Sequence, residues 1–164
     1  MKLDGLNTRP MVKKNERPIK IYVDGSYNPL TNVIGCAFAL FDETSKRPYR
    51  VAFGKKLKSQ VNYGSSIAEM IAVMTAIKAA CSLCYSHIII CHDWDGVAHF
   101  SKCENIKSRH KTCPKFGEYA KYVDKARKSI NIEFVQVKAH SDDELNCLVD
   151  QMAKSRAIAY SSVS

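Results

Sequence analysis

Little in this sequence points to a membrane or to an oxidising compartment. No apolar run approaches the roughly 18–20 residues that a bilayer-spanning helix needs, and the opening stretch MKLDGLNTRPMVKK has no apolar segment of the signal-peptide kind. The seven glycines form no Gly-rich phosphate loop of the P-loop or dinucleotide type. Tryptophan occurs once, at Trp94, and there is no internal repeat or low-complexity tract. The seven cysteines are odd in number and follow no framework spacing. Without a secretory signal, reduced thiols are expected rather than disulfides. These absences lead to the expectation of a soluble, cytoplasmic monomer with no membrane contact and no small-molecule cofactor.

What is present suits one globular domain: 164 residues, 46% hydrophobic and 25% charged. The formal net charge is +9 and is unevenly placed. Residues 1–17 carry +3 and residues 97–128 carry +6, while the rest is neutral. Excess charge gathered in two segments points to a polyanionic partner; a merely solvated face is the alternative.

Residues 1–17 are polar, basic and without period, and read as a disordered arm. A domain is expected over 18–160, with a short tail at 161–164. Ile19 to Val23 is β-rich and ends at Asp24-Gly25-Ser26, a turn signature. Val33 to Phe41 is a second strand, Asp42 to Pro48 a turn, and Tyr49 to Phe53 a third strand. From Ser65 to Ser86, Ile67, Met70, Ile71, Met74 and Ile77 recur at helical spacing among alanines, which predicts a well-buried helix. His87 to Cys91 reads as a buried strand. The basic segment 97–128 is expected to be partly helical, broken by Pro114 and Gly117. Ile132 to Val137 is a last strand, and Leu145, Leu148, Val149, Met152 and Ala153 mark a final amphipathic helix. The order β-β-β-α-β-α-β-α implies an α/β domain, an antiparallel meander followed by α/β units in one mixed sheet.

The informative residues are acids where a core should not have them. Asp24 follows five strand residues, Glu69 is the one acid in a nearly apolar helix, Asp93 ends an apolar strand and Asp150 sits in the apolar-periodic last helix. Each has a local explanation: Asp24 as a turn residue, Glu69 in a Ser66-x-x-Glu69 capping box, Asp93 facing water, Asp150 on a polar helix face. A lone desolvated charge costs several kcal/mol, so four on core elements are easier to explain if they converge. Converging carboxylates suit Mg²⁺, which takes oxygen ligands, keeps several waters and is completed by substrate phosphate. Two such ions about 3.5–4 Å apart can clamp an in-line displacement at phosphorus.

At this point the chain resembles ribonuclease H of type 1. The resemblance rests on Tyr22-Val23-Asp24-Gly25-Ser26, Ala68-Glu69-Met70-Ile71-Ala72, Asp93-Trp94-Asp95-Gly96-Val97, and Val135-Gln136-Val137-Lys138-Ala139-His140-Ser141 running on to Asn146 and Asp150. It covers roughly residues 19–157. Asp93 to Val97 looks most like the subgroup often fused to an N-terminal hybrid-binding module, for which the first 17 residues are too short. The resemblance implies a ribonuclease H-like five-stranded mixed sheet flanked by helices. It also implies cleavage of the RNA strand of RNA–DNA hybrids with two Mg²⁺ ions, Mn²⁺ substituting. Asp24, Glu69, Asp93 and Asp150 match the family's metal-binding carboxylates, and His140 a mobile-loop histidine that assists proton transfer or product release. Ser66 stands where the family often has a nucleic-acid-contacting asparagine, Asp142 where a glycine follows the loop His-Ser pair, and Cys147 where an acid follows Asn146.

For nucleic-acid contact the candidates are Asn28, Asn32, Ser66 and Gln136 near the carboxylates, with Lys102, Lys107, Arg109 and Lys111 in the basic segment. Two readings compete with hybrid cleavage: another nuclease on the same fold, such as a junction resolvase or transposase-like enzyme, and a non-catalytic module binding hybrid or double-stranded nucleic acid. Cys81-x-x-Cys84 with Cys91 and His92, or Cys103, His110 and Cys113, has a passing look of a metal or redox site. The first pair is expected to end a helix as small apolar residues.

Overall fold

Strand β1 (Ile19–Asn28) runs unbroken through Asp24-Gly25-Ser26, which corrects the expectation of a turn there. The strand pairs antiparallel with β2 (Val33–Phe41) from Lys20↔Phe41 to Asn28↔Val33. The chain reverses after Asn28, where Asn32 takes a positive φ of 56°. Asp and Gly are common turn residues, but here the glycine answers a packing demand. A Cβ on Gly25 would lie 2.2 Å from the backbone nitrogen of Glu69, so only a residue without a side chain lets the following helix rest on the strand.

The computed structural model describes residues 16–42, 48–106, 113–138 and 143–159. The expected arm (but for its last two residues), most of the Asp42–Pro48 turn and the tail lie outside the described residues, as do Lys107, Arg109, Lys111 and the His140-Ser141-Asp142 segment.

Strand β3 (Tyr49–Lys56) pairs with β2 and runs past the expected Phe53. Helix α1 (Gly64–Ser82) carries the chain across to β4 (His87–His92), which lies parallel to β1. A short helix α2 (Gly96–His99), one 3₁₀ turn (Cys103–Ile106) and α3 (Pro114–Ala126) lead to β5 (Asn131–Gln136), parallel to β4. Helix α4 (Glu144–Ala159) closes the domain. The sheet order is β3-β2-β1-β4-β5, the expected five-stranded mixed sheet of an RNase H-like fold.

Two layers cover the sheet. Ile19, Ile21 and Val23 of β1 pack with Ile67, Met70, Val73 and Ile77 of α1 and Phe116, Tyr119 and Val123 of α3. Tyr22 of β1 and Ala37 and Ala39 of β2 pack with Val149 and Ala153 of α4. Period-2 alternation thus divides β1 between the two cores. By length and composition α1 is apolar enough to cross a membrane, but about half of it is buried inside the domain, as befits the core helix. Pro114 and Gly117 do not break the basic segment. Pro114 is the first residue of α3, where its missing N–H costs nothing, and Gly117 is buried within the helix.

Close approach also governs the second layer. A Cβ on Gly35 of β2 would lie 1.9 Å from the carbonyl oxygen of Ala153 in α4. Because backbone cannot yield as a side-chain tip can, Gly35→Ala should destabilise the fold by about 1–3 kcal/mol, the usual cost of overpacking. Urea unfolding with an unchanged m-value and a lower midpoint is the expected result; an unchanged midpoint would show that α4 can ride off the sheet at no cost.

Candidate metal centre

The parallel register of β1 and β4 brings the first two acids together. Tyr22 pairs with Cys91 at the end of that ladder. Two residues further along the chain stand Asp24, within β1, and Asp93, just past the end of β4, where the parallel pairing stops; the carboxyl ends of parallel strands are where open α/β sheets bind ligands. Helix α1 crosses at Gly25 and adds Glu69. Asp24, Glu69 and Asp93 each offer a carboxylate oxygen, and these oxygens all lie within 4.8 Å of one another. Among the described residues this is the one such group, and the Cys81, Cys84, Cys91 and His92 set does not form a second.

The local explanations fail for Asp24 and Glu69 and hold in part for Asp93 and Asp150. Asp24 is inside a strand and 7% exposed. Glu69 is 5% exposed, and its supposed partner Ser66 does not cap the helix, which starts earlier, at Tyr63, without a side-chain cap. Asp93 is half-buried. Asp150 does reach the polar rim, where Lys154 Nζ donates to its Oδ2 at 2.7 Å, but it also lies close enough to Asp24 to help push that carboxyl up.

The electrostatics show what the group lacks. Burial, then the charges of Asp93 and Asp24, push the Glu69 carboxyl up to about 9, against one backbone hydrogen bond from Trp94 that favours the anion. Burial, Asp93 and Asp150 likewise push Asp24 up to about 7. Glu69 Oε1 is buried with no hydrogen-bond partner among the described residues. Carboxylates crowded and desolvated in this way, with one oxygen left unsatisfied, fit a hard divalent cation.

The predicted nucleic-acid contacts scatter. Asn28 Oδ1 accepts from the Leu30 N–H at 3.1 Å. Asn32 donates from Nδ2 to the Leu57 carbonyl and accepts from the Tyr27 hydroxyl, both at 2.9 Å, and so ties the hairpin to the strand β3 exit. Ser66 is half-buried in the first turn of α1 and Lys102 is exposed. Gln136 is exposed and its Nε2 donates to the Asp93 carbonyl at 3.0 Å. Lys107, Arg109, Lys111 and His140 lie outside the described residues. Cys81 is exposed in the last turn of α1, and Cys84 stands beyond the helix end with φ 62°, so the pair does not act as small apolar packing at a helix end.

A basic cavity of about 740 Å³ has no counterpart among the expectations from sequence. Lys55 and Lys56 at the end of β3, Lys58 just after it and Lys115 of α3 line it, and Tyr63 and Cys113, the residues that precede α1 and α3, form part of its wall. Helix N-termini and lysines together favour anions. The signal is present as Lys55-Lys56-Leu57-Lys58, but averaging charge over the neutral remainder of the chain conceals it.

No curated protein sequence is significantly similar to the chain. Solved structures share its fold at low identity. The RNase H1 of the halophilic archaeon Halobacterium salinarum superposes with a TM-score of 0.63 at 13% identity, over 87% of this chain and 99% of that one. The N-terminal RNase H domain of Rv2228c from Mycobacterium tuberculosis gives 0.65 at 13%, over 88% and 96%. LC11-RNase H1, isolated from compost by a metagenomic approach, gives 0.64 at 16%, over 87% and 97%. The sequence itself matches the family described as RNase H over residues 16–158, the span that holds the sheet, the basic cavity and all four acids, and the chain belongs to that family.

Proposed function

We propose that the protein is an endoribonuclease that hydrolyses the RNA strand of RNA–DNA hybrids. The observation that carries this reading is the group Asp24, Glu69 and Asp93, two of them buried, with oxygens within 4.8 Å of one another, while the nearby Lys154 forms its ion pair with Asp150. Mg²⁺ is the ion the donor set suits, with Asp24, Glu69 and Asp93 as ligands, Asp150 completing the site and Mn²⁺ as a substitute. When bound, a pair of such ions supplies charge stabilisation to the attacking and leaving oxygens of an in-line displacement at phosphorus.

The chain's own residues do the rest. Gly25 lets Glu69 come down beside Asp24. The carboxylates repel a bare phosphate, so the scissile phosphate comes up to them only when their charge is balanced, while the rest of the substrate is held elsewhere. The lysines of the basic cavity hold a phosphate backbone at a distance from the carboxylates, and such contacts position without reading sequence. The 2′-hydroxyl distinguishes the strand to be cut. His140, which the sequence places between β5 and α4, assists proton transfer. A non-catalytic binding module has no use for a group of acids that repels its ligand.

Cleavage of a labelled hybrid in Mg²⁺, beside matched double-stranded RNA and DNA, decides between the readings. Selective cutting of the hybrid's RNA to 5′-phosphate and 3′-hydroxyl ends is expected, and cutting of branched DNA instead would favour the resolvase reading. Asp24→Asn should fall to background, whereas His140→Ala should lose about 10²–10⁴-fold, the worth of general acid–base help. Wild-type turnover in Asp24→Asn would end the proposal.

Binding should depend on salt through the cavity. Replacing Lys55, Lys56 and Lys58 by Ala should flatten the slope of log affinity against log salt by roughly two to three units, about 0.7–0.9 for every phosphate that is no longer neutralised. An unchanged slope would remove the cavity from the binding path.

The raised carboxyls also set a pH dependence for the metal-free fold. Glu69 and Asp24 titrate at about 9 and about 7 when folded, well above the roughly 4 of an unfolded carboxyl. The folded state therefore binds more protons, and the contribution of these groups is fully present below about pH 4 and lost as pH rises through about 7 and then 9. Melting temperature in chelator should fall from pH 6 to pH 9, Glu69→Gln should flatten the upper part of that fall, and saturating Mg²⁺ should restore stability most at high pH. A metal-free melting temperature that rises over this range would contradict the crowding of these acids.

A further inference from the structure

We propose that Gln136 and His92 are positioning residues for Asp93. Together they lock the Asp93–Trp94 turn against the carboxylate group, so that Gln136 serves the divalent ion indirectly instead of reading the nucleic acid. The inference rests on Asp93 being a metal ligand.

Strand β4 ends at His92, and the next two residues contribute twice to the site. Asp93 supplies a carboxylate, and the Trp94 backbone N–H favours the anionic form of Glu69. Any tilt of this turn moves both at once. Its backbone is held at three successive carbonyls. The His92 carbonyl accepts from the Val137 N–H at 2.7 Å. The Asp93 carbonyl accepts from Gln136 Nε2 at 3.0 Å. The Trp94 carbonyl accepts from His92 Nδ1 at 2.8 Å and from the Val97 N–H at 3.2 Å. His92↔Gln136 is the last pair of the β4–β5 ladder, so Gln136 stands where its amide can reach one residue beyond the strand end.

The chemistry of His92 argues for a dedicated role. A carbonyl only accepts, so Nδ1 carries the hydrogen and Nε2 is the bare nitrogen. His92 is 1% exposed, its ring meets Phe134 edge-on with centroids 6.0 Å apart, and Nε2 is buried with no partner among the described residues. An apolar side chain of similar shape would avoid that unsatisfied nitrogen. What it could not supply is the Nδ1–H that holds Trp94. Gln136 is exposed, so its bond to Asp93 is not forced by burial, and its NH₂ group is already engaged across the gap between β5 and the turn.

The test uses the full chain and Mn²⁺ alone, titrated by calorimetry without substrate, alongside hybrid binding measured in chelator. Partners that orient metal ligands typically matter by about 10–100-fold in affinity, so Gln136→Leu and His92→Leu should each weaken Mn²⁺ binding about tenfold. His92→Asn, whose amide nitrogen lies close to the position of Nδ1, should stay within about threefold of wild type. Hybrid binding in chelator should not change in Gln136→Leu. Wild-type Mn²⁺ affinity in Gln136→Leu, or abolished hybrid binding with Mn²⁺ affinity intact, would overturn the proposal and make Gln136 a substrate contact. Because Gln136 is on the surface, this holds even if His92→Leu does not fold. Asp93→Asn separates the two levels: it should abolish the Mn²⁺ isotherm, and if it binds like wild type the metal reading itself fails and the inference falls with it.

Discussion

The mutual repulsion of three crowded carboxylates, two of them buried, is the constraint on which the rest of the structure depends. Two unit charges about 5 Å apart repel by roughly 3 kcal/mol at an effective dielectric of about 20, and desolvation adds to that. Asp24 and Glu69 are each less than a tenth exposed, and in the metal-free protein they answer by holding protons at pH values where an ordinary carboxyl has none. Only a rigid frame keeps such groups together. It consists of the β1–β4 register, the flush contact of α1 on Gly25 and the tied turn after His92. Each brings an acid from a different part of the chain.

The charge pattern elsewhere complements this arrangement. Acids and lysines are kept apart, with the carboxylates grouped where β1, β4 and α1 meet and Lys55, Lys56, Lys58 and Lys115 around a separate cavity by the starts of α1 and α3. Ion pairs between the two sets would neutralise both. Lys154, which does approach the acids, pairs with Asp150 at the rim and not with the buried group. An acidic floor and a basic wall can then coexist in a protein whose net charge is positive.

Much of the fold was legible because its elements are strongly periodic. Strand β2 matches its expected bounds at both ends, and α1 announces itself by apolar residues at helical spacing. The departures share a cause. Asp24-Gly25-Ser26, Ser66-x-x-Glu69, Pro114 and Gly117 are all local signals with a common meaning, and the surrounding structure gave each a different one, by close packing at Gly25 and by where the helices begin at Ser66 and Pro114. Gly25 and Gly117 are small where another element comes close or the site is buried, and Ser66 starts nothing because the helix had begun before it.

The sequence by itself determined the class of the protein. Acids misplaced on apolar elements, in family order, singled out Asp24, Glu69, Asp93 and Asp150 as candidates, since residue type and periodicity are carried by the chain alone. Convergence is a property of register and crossing, and only the tertiary structure decided it. Asp24 and Asp93, 69 positions apart, stand side by side because β1 and β4 run parallel with Tyr22 opposite Cys91. The same holds for the lysine cavity, assembled from β3, α1 and α3, and for Gln136, whose bond to the Asp93 carbonyl exists only where β5 ends beside β4. Distances between residues remote in sequence are set by how layers pack, and no local pattern encodes them.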